Sequence, residues 1–95
     1  MPNRIRADRL RRLRNDIAIT AVLADVLDVP TKISEGYLRF LCPVCAEFNT
    51  ATKPETNLAR CFRCERNFNT IDLVMIVRRV NFRQAVEVLD DLVGD

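Results

Sequence analysis

The sequence contains no histidine and only two glycines, Gly36 and Gly94, in 95 residues. With so few glycines, the chain has no glycine-rich loop of the kind that cradles phosphates. Its longest unbroken apolar run is Leu73–Val77, which is far too short to span a membrane. The segment Met1–Arg14 is rich in arginine and lacks the apolar region of a secretory signal peptide. From these absences we expect a cytoplasmic protein with no membrane segment.

Four cysteines are present, and they form two C-x-x-C pairs separated by fifteen residues. A C-x-x-C turn brings two thiolates onto one metal ion, and two such turns complete a tetrahedral site. Because histidine is absent, the ligands are all cysteines: Cys42, Cys45, Cys61 and Cys64. A site closed by four protein ligands has no position for substrate water, so we predict one structural Zn²⁺.

Three other interpretations of the cysteines compete with zinc. Two disulfides would suit a secreted protein, but the chain shows no signal peptide. A thioredoxin-like redox pair would need one C-x-x-C at a strand–helix junction rather than two copies. Iron binds similar four-thiolate sites, so the pattern determines the ligand set better than the metal.

The length suits one domain over residues 1–95 with a modest core. Structural zinc supplies about 10–16 kcal/mol in zinc-finger peptides, against a typical net stability of about 5–15 kcal/mol. Net charge is only +2, but residues 1–14 carry six arginines against Asp8, and residues 37–66 sum to +2. Positive charge on the N-terminal arm (1–13) and around the cysteines suggests a polyanionic partner, although a solvated charged face gives the same pattern.

The N-terminal half predicts two helices followed by short strands. Apolar residues at helical spacing predict a first helix around Leu10–Ile17 and a second over Ile19–Leu27. Three β-rich runs would form a small antiparallel sheet clasped by the metal: Tyr37–Leu41, Phe48–Thr52 and Asn57–Arg60. We therefore predict a zinc ribbon over residues 37–66.

The C-terminal residues 70–93 predict two further helices. Thr70 is a suitable N-cap for a third helix ending at Arg79, whose all-round apolar character indicates burial against the sheet. Asn81 and Gln84 resemble a capping box that opens a fourth, amphipathic helix. The predicted fold class is α+β, with a small antiparallel zinc-ribbon sheet flanked by N- and C-terminal helices.

Several short motifs occur in order along the chain. They are R-N-D-I at Arg14–Ile17, L-C-P-V-C at Leu41–Cys45, C-F-R-C at Cys61–Cys64, N-T-I-D-L at Asn69–Leu73 and F-x-x-A-V-E-x-L at Phe82–Leu89. In this order and spacing they resemble the N-terminal zinc-binding domain of bacterial DnaG-type DNA primases. The resemblance extends over most of the chain, from about Arg14 to Leu92.

The chain departs from that family pattern at four places: Cys45, the stretch Glu65–Phe68, the stretch Ala46–Thr52, which does not match the family's sequence after the first cysteine turn, and Tyr37, which stands one residue further from the first ligand than the family tyrosine. Cys45 stands where the family has a histidine ligand, which gives a four-cysteine set more similar to that of phage helicase–primases. Glu65–Phe68 replaces a glycine-containing stretch after the second cysteine turn. Because zinc thiolates and apolar stripes specify the fold, we expect the fold to be retained.

The resemblance implies a non-catalytic module that holds a single-stranded DNA template, with a primase catalytic domain or a replicative helicase as its protein partner. Cations beside the sheet would follow phosphates, and exposed aromatic rings would stack on bases. The candidate residues are Arg39, Lys53, Arg60, Arg63, Arg66, Tyr37 and Phe62. The competing interpretation is that Phe62 packs beneath the cysteine turn and that the arginines only solvate a surface.

Two other functions fit the residues. One is a protein-interaction ribbon that docks on a replication protein through its helices. The other is a regulator whose arginine-rich N-terminal helix reads duplex DNA. Catalysis within the chain is not expected, because Asp90 and Asp91 have no third carboxylate partner with which to hold two metal ions.

Overall fold

A computed structural model describes residues 7–93, which form two antiparallel sheets between N- and C-terminal helices. The helices are α1 (Ala7–Asn15), α2 (Ile19–Ala21), α3 (Thr70–Arg78) and α4 (Phe82–Val93), and a π-helical segment, Val22–Val26, continues α2. The strands are β1 (Thr31–Ser34), β2 (Tyr37–Phe40), β3 (Thr50–Lys53), β4 (Leu58–Cys61) and β5 (Arg66–Phe68). The predicted α+β class is confirmed. Residues 1–6 of the predicted N-terminal arm lie outside the described residues.

The predicted second helix is present, but its second half is π-helical. There the Leu27 N–H donates to the Val22 carbonyl, five residues back, at 2.9 Å. The wider turn still buries the predicted apolar stripe, since Ile19, Val22, Leu23 and Leu27 are all buried. The segment ends at Val26, and Asp28, two residues later, adopts a left-handed conformation with φ of 53°.

The strands lie in two sheets, which corrects the prediction of a single small sheet. β1 and β2 form a hairpin in which Thr31 pairs with Phe40 and Ser34 with Tyr37. β3, β4 and β5 form the second sheet, in that order. The sequence predicted neither β1 nor β5, and it placed β3 and β4 one or two residues too early.

Asn69, not Thr70, caps α3. The Asn69 side chain accepts a hydrogen bond from the Asp72 N–H at 2.8 Å, and the Asp72 carboxylate accepts one from the Asn69 N–H at 3.0 Å. The Thr70 hydroxyl instead donates to the Leu13 carbonyl at 2.7 Å and so ties α3 to α1. The capping box predicted at α4 is confirmed, because Asn81 and Gln84 exchange backbone-to-side-chain hydrogen bonds.

The core lies between the helices and the inner faces of the sheets. Its largest fully buried side chains are Phe40 and Phe68, one from each sheet. Leu73 and Val74 of α3 and Leu89 of α4 are also fully buried. This arrangement confirms that the apolar third helix is a core element. No helix within residues 7–93 is long and apolar enough to cross a membrane.

Candidate metal centre and adjoining groove

The four cysteines converge from two chain segments and form one cluster, here called the cysteine cluster. Cys42 and Cys45 lie in the turn that follows β2, whereas Cys61 ends β4 and Cys64 lies in the turn before β5. All four sulfur atoms lie within 4.8 Å of one another. The Sγ–Sγ distances are 3.9 Å for Cys42–Cys64 and 3.6 Å for Cys45–Cys61. A tetrahedron with Zn–S bonds of about 2.3 Å has edges of about 3.8 Å, so this spacing fits zinc.

The two cysteine turns have similar backbone geometry. The Val44 N–H donates to the Cys42 sulfur and the Cys64 N–H to the Cys61 sulfur, both at 3.4 Å. The residue after each turn, Ala46 or Glu65, adopts a left-handed conformation with φ of 60° and 56° respectively. This reversal directs the chain away from the cluster while amide hydrogen atoms point at the sulfurs. Such N–H groups stabilise thiolates, which are the form that binds metal.

Burial and hydrogen bonds within the cluster shift the pKa values of three of the thiols. Burial raises the pKa of Cys64 to about 12, and hydrogen bonds with Cys45 and Cys61 act in the same direction. Burial also opposes ionisation of Cys61, but hydrogen bonds from the Cys64 backbone and the Cys45 thiol lower its pKa to about 7. The pKa of Cys45 is raised, chiefly by burial. A metal ion that binds the cluster therefore has to displace protons from Cys45 and Cys64.

A groove adjoins the cluster on the outer face of the β3–β4–β5 sheet, and we call it the sheet groove. Its volume is about 590 Å³. Ala51, Arg60 and Asn67 are opposite one another in the strand register and lie on this face. Phe68, the neighbour of Asn67, lies on the other face and is buried. The alternation of side chains along short strands therefore builds the groove floor.

The sheet groove brings together five of the seven residues predicted to contact nucleic acid. These are Tyr37, Arg39, Lys53, Arg60 and Phe62. Tyr37 and Arg39 come from β2, so the first sheet supplies one wall of a groove whose floor is the second. The prediction had placed all seven residues on or beside one sheet.

Two of the groove cations are held by neighbouring groups. Arg39 donates to the Thr50 carbonyl at 2.8 Å and to the Glu35 carboxylate at 3.1 Å. Arg60 donates to the Asn67 side-chain oxygen at 3.3 Å, and its guanidinium lies 5.7 Å from the centre of the Phe62 ring. Both side chains are therefore positioned before any ligand arrives, which lowers the entropy cost of binding.

The two aromatic residues of the groove are exposed. The Phe62 side chain is 57% exposed and that of Tyr37 is 50% exposed. Phe62 thus projects from the second cysteine turn and does not pack beneath it. Exposed rings beside cations can stack on planar ligands.

Arg63 and Arg66 lie outside the groove lining. Arg66 is opposite Cys61 in the strand register and stands 5.2 Å from the ring of Phe68, on the side of the sheet that faces away from the groove. Arg63 is exposed in the second cysteine turn. The structure therefore separates these two cations from the five groove residues.

Sequence reasoning missed seven other groove residues: Ala51, Thr52, Glu55, Thr56, Leu58, Ala59 and Asn67. Leu58 could have been predicted from the sequence, because Leu58 and Arg60 are two residues apart in a predicted strand and therefore share one face of it. Asn67 gave no comparable signal, since β5 has only three residues and follows directly on a cysteine turn.

Comparison with known proteins agrees with the geometry. A family model described as the CHC2 zinc finger matches residues 5–94. A DNA primase of Streptomyces coelicolor is 29% identical over 96 residues, which cover 99% of this chain and 15% of that relative. The chain thus spans about 15% of the length of the curated relative it matches. With the sulfur spacing above, the match confirms a site in which the cysteine cluster holds one zinc ion.

Proposed function

Because this chain belongs to the CHC2 zinc finger family of DnaG-type primases, we propose that it is a non-catalytic module that holds a single-stranded DNA template during primer synthesis. Zinc bound to the cysteine cluster is structural in this proposal, since four protein ligands fill a tetrahedral site. The metal fixes the two turns from which the sheet groove extends. The single-stranded DNA itself binds in the groove.

The observation that carries the proposal is the composition of the sheet groove. Three cations, Arg39, Lys53 and Arg60, line it together with two exposed aromatic rings, Tyr37 and Phe62. Proteins that bind single strands combine cations that follow the phosphates with rings on which bases stack, at about 1–3 kcal/mol per base. Arg63 and Arg66 would add only general electrostatic attraction from outside the groove.

We place the catalytic step in a separate primase domain. Primer synthesis requires carboxylates that hold two metal ions. Within residues 7–93, clusters of three or more potential metal ligands are limited to the four cysteines. Asp90 is engaged by Arg9 on α1. The partners we propose are that catalytic domain, or a replicative helicase, in the cytoplasm, where thiolates stay reduced.

The test compares a labelled single strand with a duplex of the same sequence by fluorescence anisotropy, using the zinc-loaded chain. The parent chain should prefer the single strand. Arg60→Ala should weaken single-strand binding on the order of tenfold, about 1.4 kcal/mol, because a charged hydrogen-bond donor to phosphate is removed. Arg83→Ala removes the same charge from exposed α4 and should leave the affinity nearly unchanged.

The alternatives predict different results in the same titrations. A regulator that reads duplex DNA through α1 would prefer the duplex. A protein-interaction ribbon would bind neither form. Equal losses for Arg60→Ala and Arg83→Ala would mean that binding is non-specific charge attraction, and the groove proposal would then be wrong.

A further inference from the structure

A cation and an aromatic ring also meet on the first sheet, outside the lining of the sheet groove. The Lys32 ammonium stands 4.8 Å from the centre of the Phe48 ring. Lys32 belongs to β1 and is exposed, whereas Phe48 lies between the first cysteine turn and β3 and is half-buried. Neither residue is among the seven predicted to contact nucleic acid. We call these two residues the hairpin pair.

The strand register places Lys32 beside the groove wall. Lys32 is opposite Arg39 in the pairing of β1 with β2. Residues directly opposite in an antiparallel pair project from the same face, with Cβ atoms about 4.5–5.5 Å apart. Because Arg39 lines the groove, the Lys32 side chain projects on the groove side of the first sheet. Lys32 therefore extends the groove wall by one strand.

Backbone contacts place Phe48 at the same edge of the groove. The carbonyl of Asn49, the next residue in the chain, accepts a hydrogen bond from the Phe62 N–H at 2.7 Å. The Thr50 carbonyl accepts one from the Arg39 side chain at 2.8 Å. Phe62 and Arg39 both line the groove. The two residues that follow Phe48 are thus bound to groove residues, so the hairpin pair adjoins the groove.

The charge of Lys32 is available to an anionic ligand. Among the residues that the structure describes, no carboxylate forms an ion pair with Lys32. The neighbouring Arg39, in contrast, is paired with the Glu35 carboxylate at 3.1 Å, which neutralises part of its charge. A polyanion that reaches Arg39 therefore meets a stronger attraction one strand further out, at the Lys32 ammonium.

We propose that Lys32 forms a second phosphate-binding site, which takes the part of a single strand that passes from the sheet groove onto the first sheet, and that Phe48 positions the ammonium. This inference rests on the proposed function, because it requires a strand in the groove. The arrangement repeats that of Arg60 and Phe62 within the groove, where a guanidinium lies 5.7 Å from the centre of a ring. Held over its ring, Lys32 loses less conformational freedom when it binds a phosphate.

The test is a length series of fluorescein-labelled oligothymidylates, from roughly four to sixteen nucleotides, titrated into the zinc-loaded chain at two salt concentrations. Lys32→Ala should weaken binding of the longest strands about two- to five-fold and leave the shortest strands that bind unaffected. The salt-dependence slope of the long strands should fall by about 0.7, the value for one lost phosphate contact. Lys32→Arg keeps the cation and should bind every length like the parent chain.

Phe48→Leu tests the positioning role separately. Leucine keeps apolar bulk at this half-buried position but removes the ring. The variant should lose less long-strand affinity than Lys32→Ala and keep the parent's salt-dependence slope, because the phosphate contact is still made. Lys32 is exposed, so Lys32→Ala should also keep the parent's melting temperature. The test of the phosphate site thus does not depend on the folding of Phe48→Leu.

Arg66→Ala is the matched control. Arg66 also stands over a ring, 5.2 Å from the centre of Phe68, but on the side of the sheet that faces away from the groove. The substitution removes the same charge as Lys32→Ala. It should weaken binding of short and long strands by the same small factor, because it removes only general electrostatic attraction.

Three outcomes would overturn the inference, and they are distinguishable from failure of the proposed function. If Lys32→Ala and Arg66→Ala lose equal affinity at every length, Lys32 acts only by its charge. If Lys32→Ala weakens the shortest and longest strands equally, Lys32 does not contact a segment beyond the groove. If Lys32→Ala changes no length, the strand does not cross the first sheet. In all three cases short strands still bind, whereas failure of the proposed function would abolish their binding by the parent chain.

Discussion

Thr50 and Phe40 join the two sheets through a pair of hydrogen bonds between one side chain and one backbone. The Thr50 hydroxyl accepts from the Phe40 N–H at 2.8 Å and donates to the Phe40 carbonyl at 2.5 Å. Both residues are fully buried. A single hydroxyl therefore satisfies a donor and an acceptor on β2, and it fixes the wall of the sheet groove against its floor.

Thr50→Val should destabilise the zinc-loaded chain by about 2–4 kcal/mol. Valine has nearly the same shape but leaves the Phe40 N–H and carbonyl buried without partners, at about 1–3 kcal/mol each. Chemical denaturation measures the change. The control is Thr56→Val, because the exposed Thr56 hydroxyl makes one 3.4 Å hydrogen bond to Lys53 and its loss should cost less than about 0.5 kcal/mol. Similar losses for both variants would show that the two sheets are joined in another way.

Glu65→Gly should stabilise the chain by about 0.5–1 kcal/mol. Glu65 adopts φ of 56°, a conformation that costs a non-glycine residue about 1–2 kcal/mol and costs glycine little. Part of that gain is offset, since glycine loses more freedom on folding. The melting temperature of the zinc-loaded protein should rise accordingly.

Glu47→Gly is the control for that substitution. Glu47 is an exposed acidic residue close after the first cysteine turn, and it is not among the described residues with positive φ. The Glu47→Gly substitution should therefore not raise the melting temperature. A lower melting temperature for Glu65→Gly than for the parent would contradict the account of the turn.

Removal of zinc should unfold most of the chain. Structural zinc contributes about 10–16 kcal/mol, which equals or exceeds the usual net stability of about 5–15 kcal/mol. Far-ultraviolet circular dichroism should lose its signal on chelation and regain it when one equivalent of zinc per chain is restored. Cys61→Ser should behave like the metal-free chain. A Cys61→Ser variant with the parent's melting temperature would show that the cluster does not hold the fold together.

The helices and the metal ligands were predictable from the sequence because local patterns determine them. Apolar stripes at helical spacing placed α1, α3 and α4, and the C-x-x-C spacing gave all four ligands. The error at the start of α3 came from competition between adjacent residues. Asn69 and Thr70 can both cap a helix, and Thr70 is diverted to the Leu13 carbonyl 57 residues away, a contact no local pattern encodes.

The strands β1 and β5 were missed for a different reason. β1 contains one large apolar residue, Ile33, which is 77% exposed, so no alternation marks it. Its turn, Glu35-Gly36, has positive φ at both residues, as two-residue hairpins of the first primed type require. Glutamate is an unusual first residue for that turn, and the hairpin signal was therefore weak. The assembly of the groove from two sheets could not be foreseen without β1.

Phe62→Ala should weaken single-strand binding by about 1–3 kcal/mol with little effect on stability. The ring is more than half exposed, so its loss removes a stacking surface and leaves no cavity. Phe82→Ala is the control, since Phe82 is also partly exposed but lies at the start of α4, outside the sheet groove. Anisotropy titrations of both variants with one short single strand measure the difference. Equal affinities for the two variants would remove Phe62 from the binding surface.

The most direct test of the central claim is a titration of the ¹⁵N-labelled, zinc-loaded chain with a short single strand, followed by amide chemical shifts. We predict that the shifts concentrate on the groove face, at Ala51, Leu58, Arg60 and Asn67, which the strand register places together. Amides on the outer side of α4, such as that of Glu87, should stay in place. Shifts confined to the helices, with the groove amides unmoved by a strand that binds, would contradict the claim that this zinc-held sheet is the surface that binds single-stranded DNA.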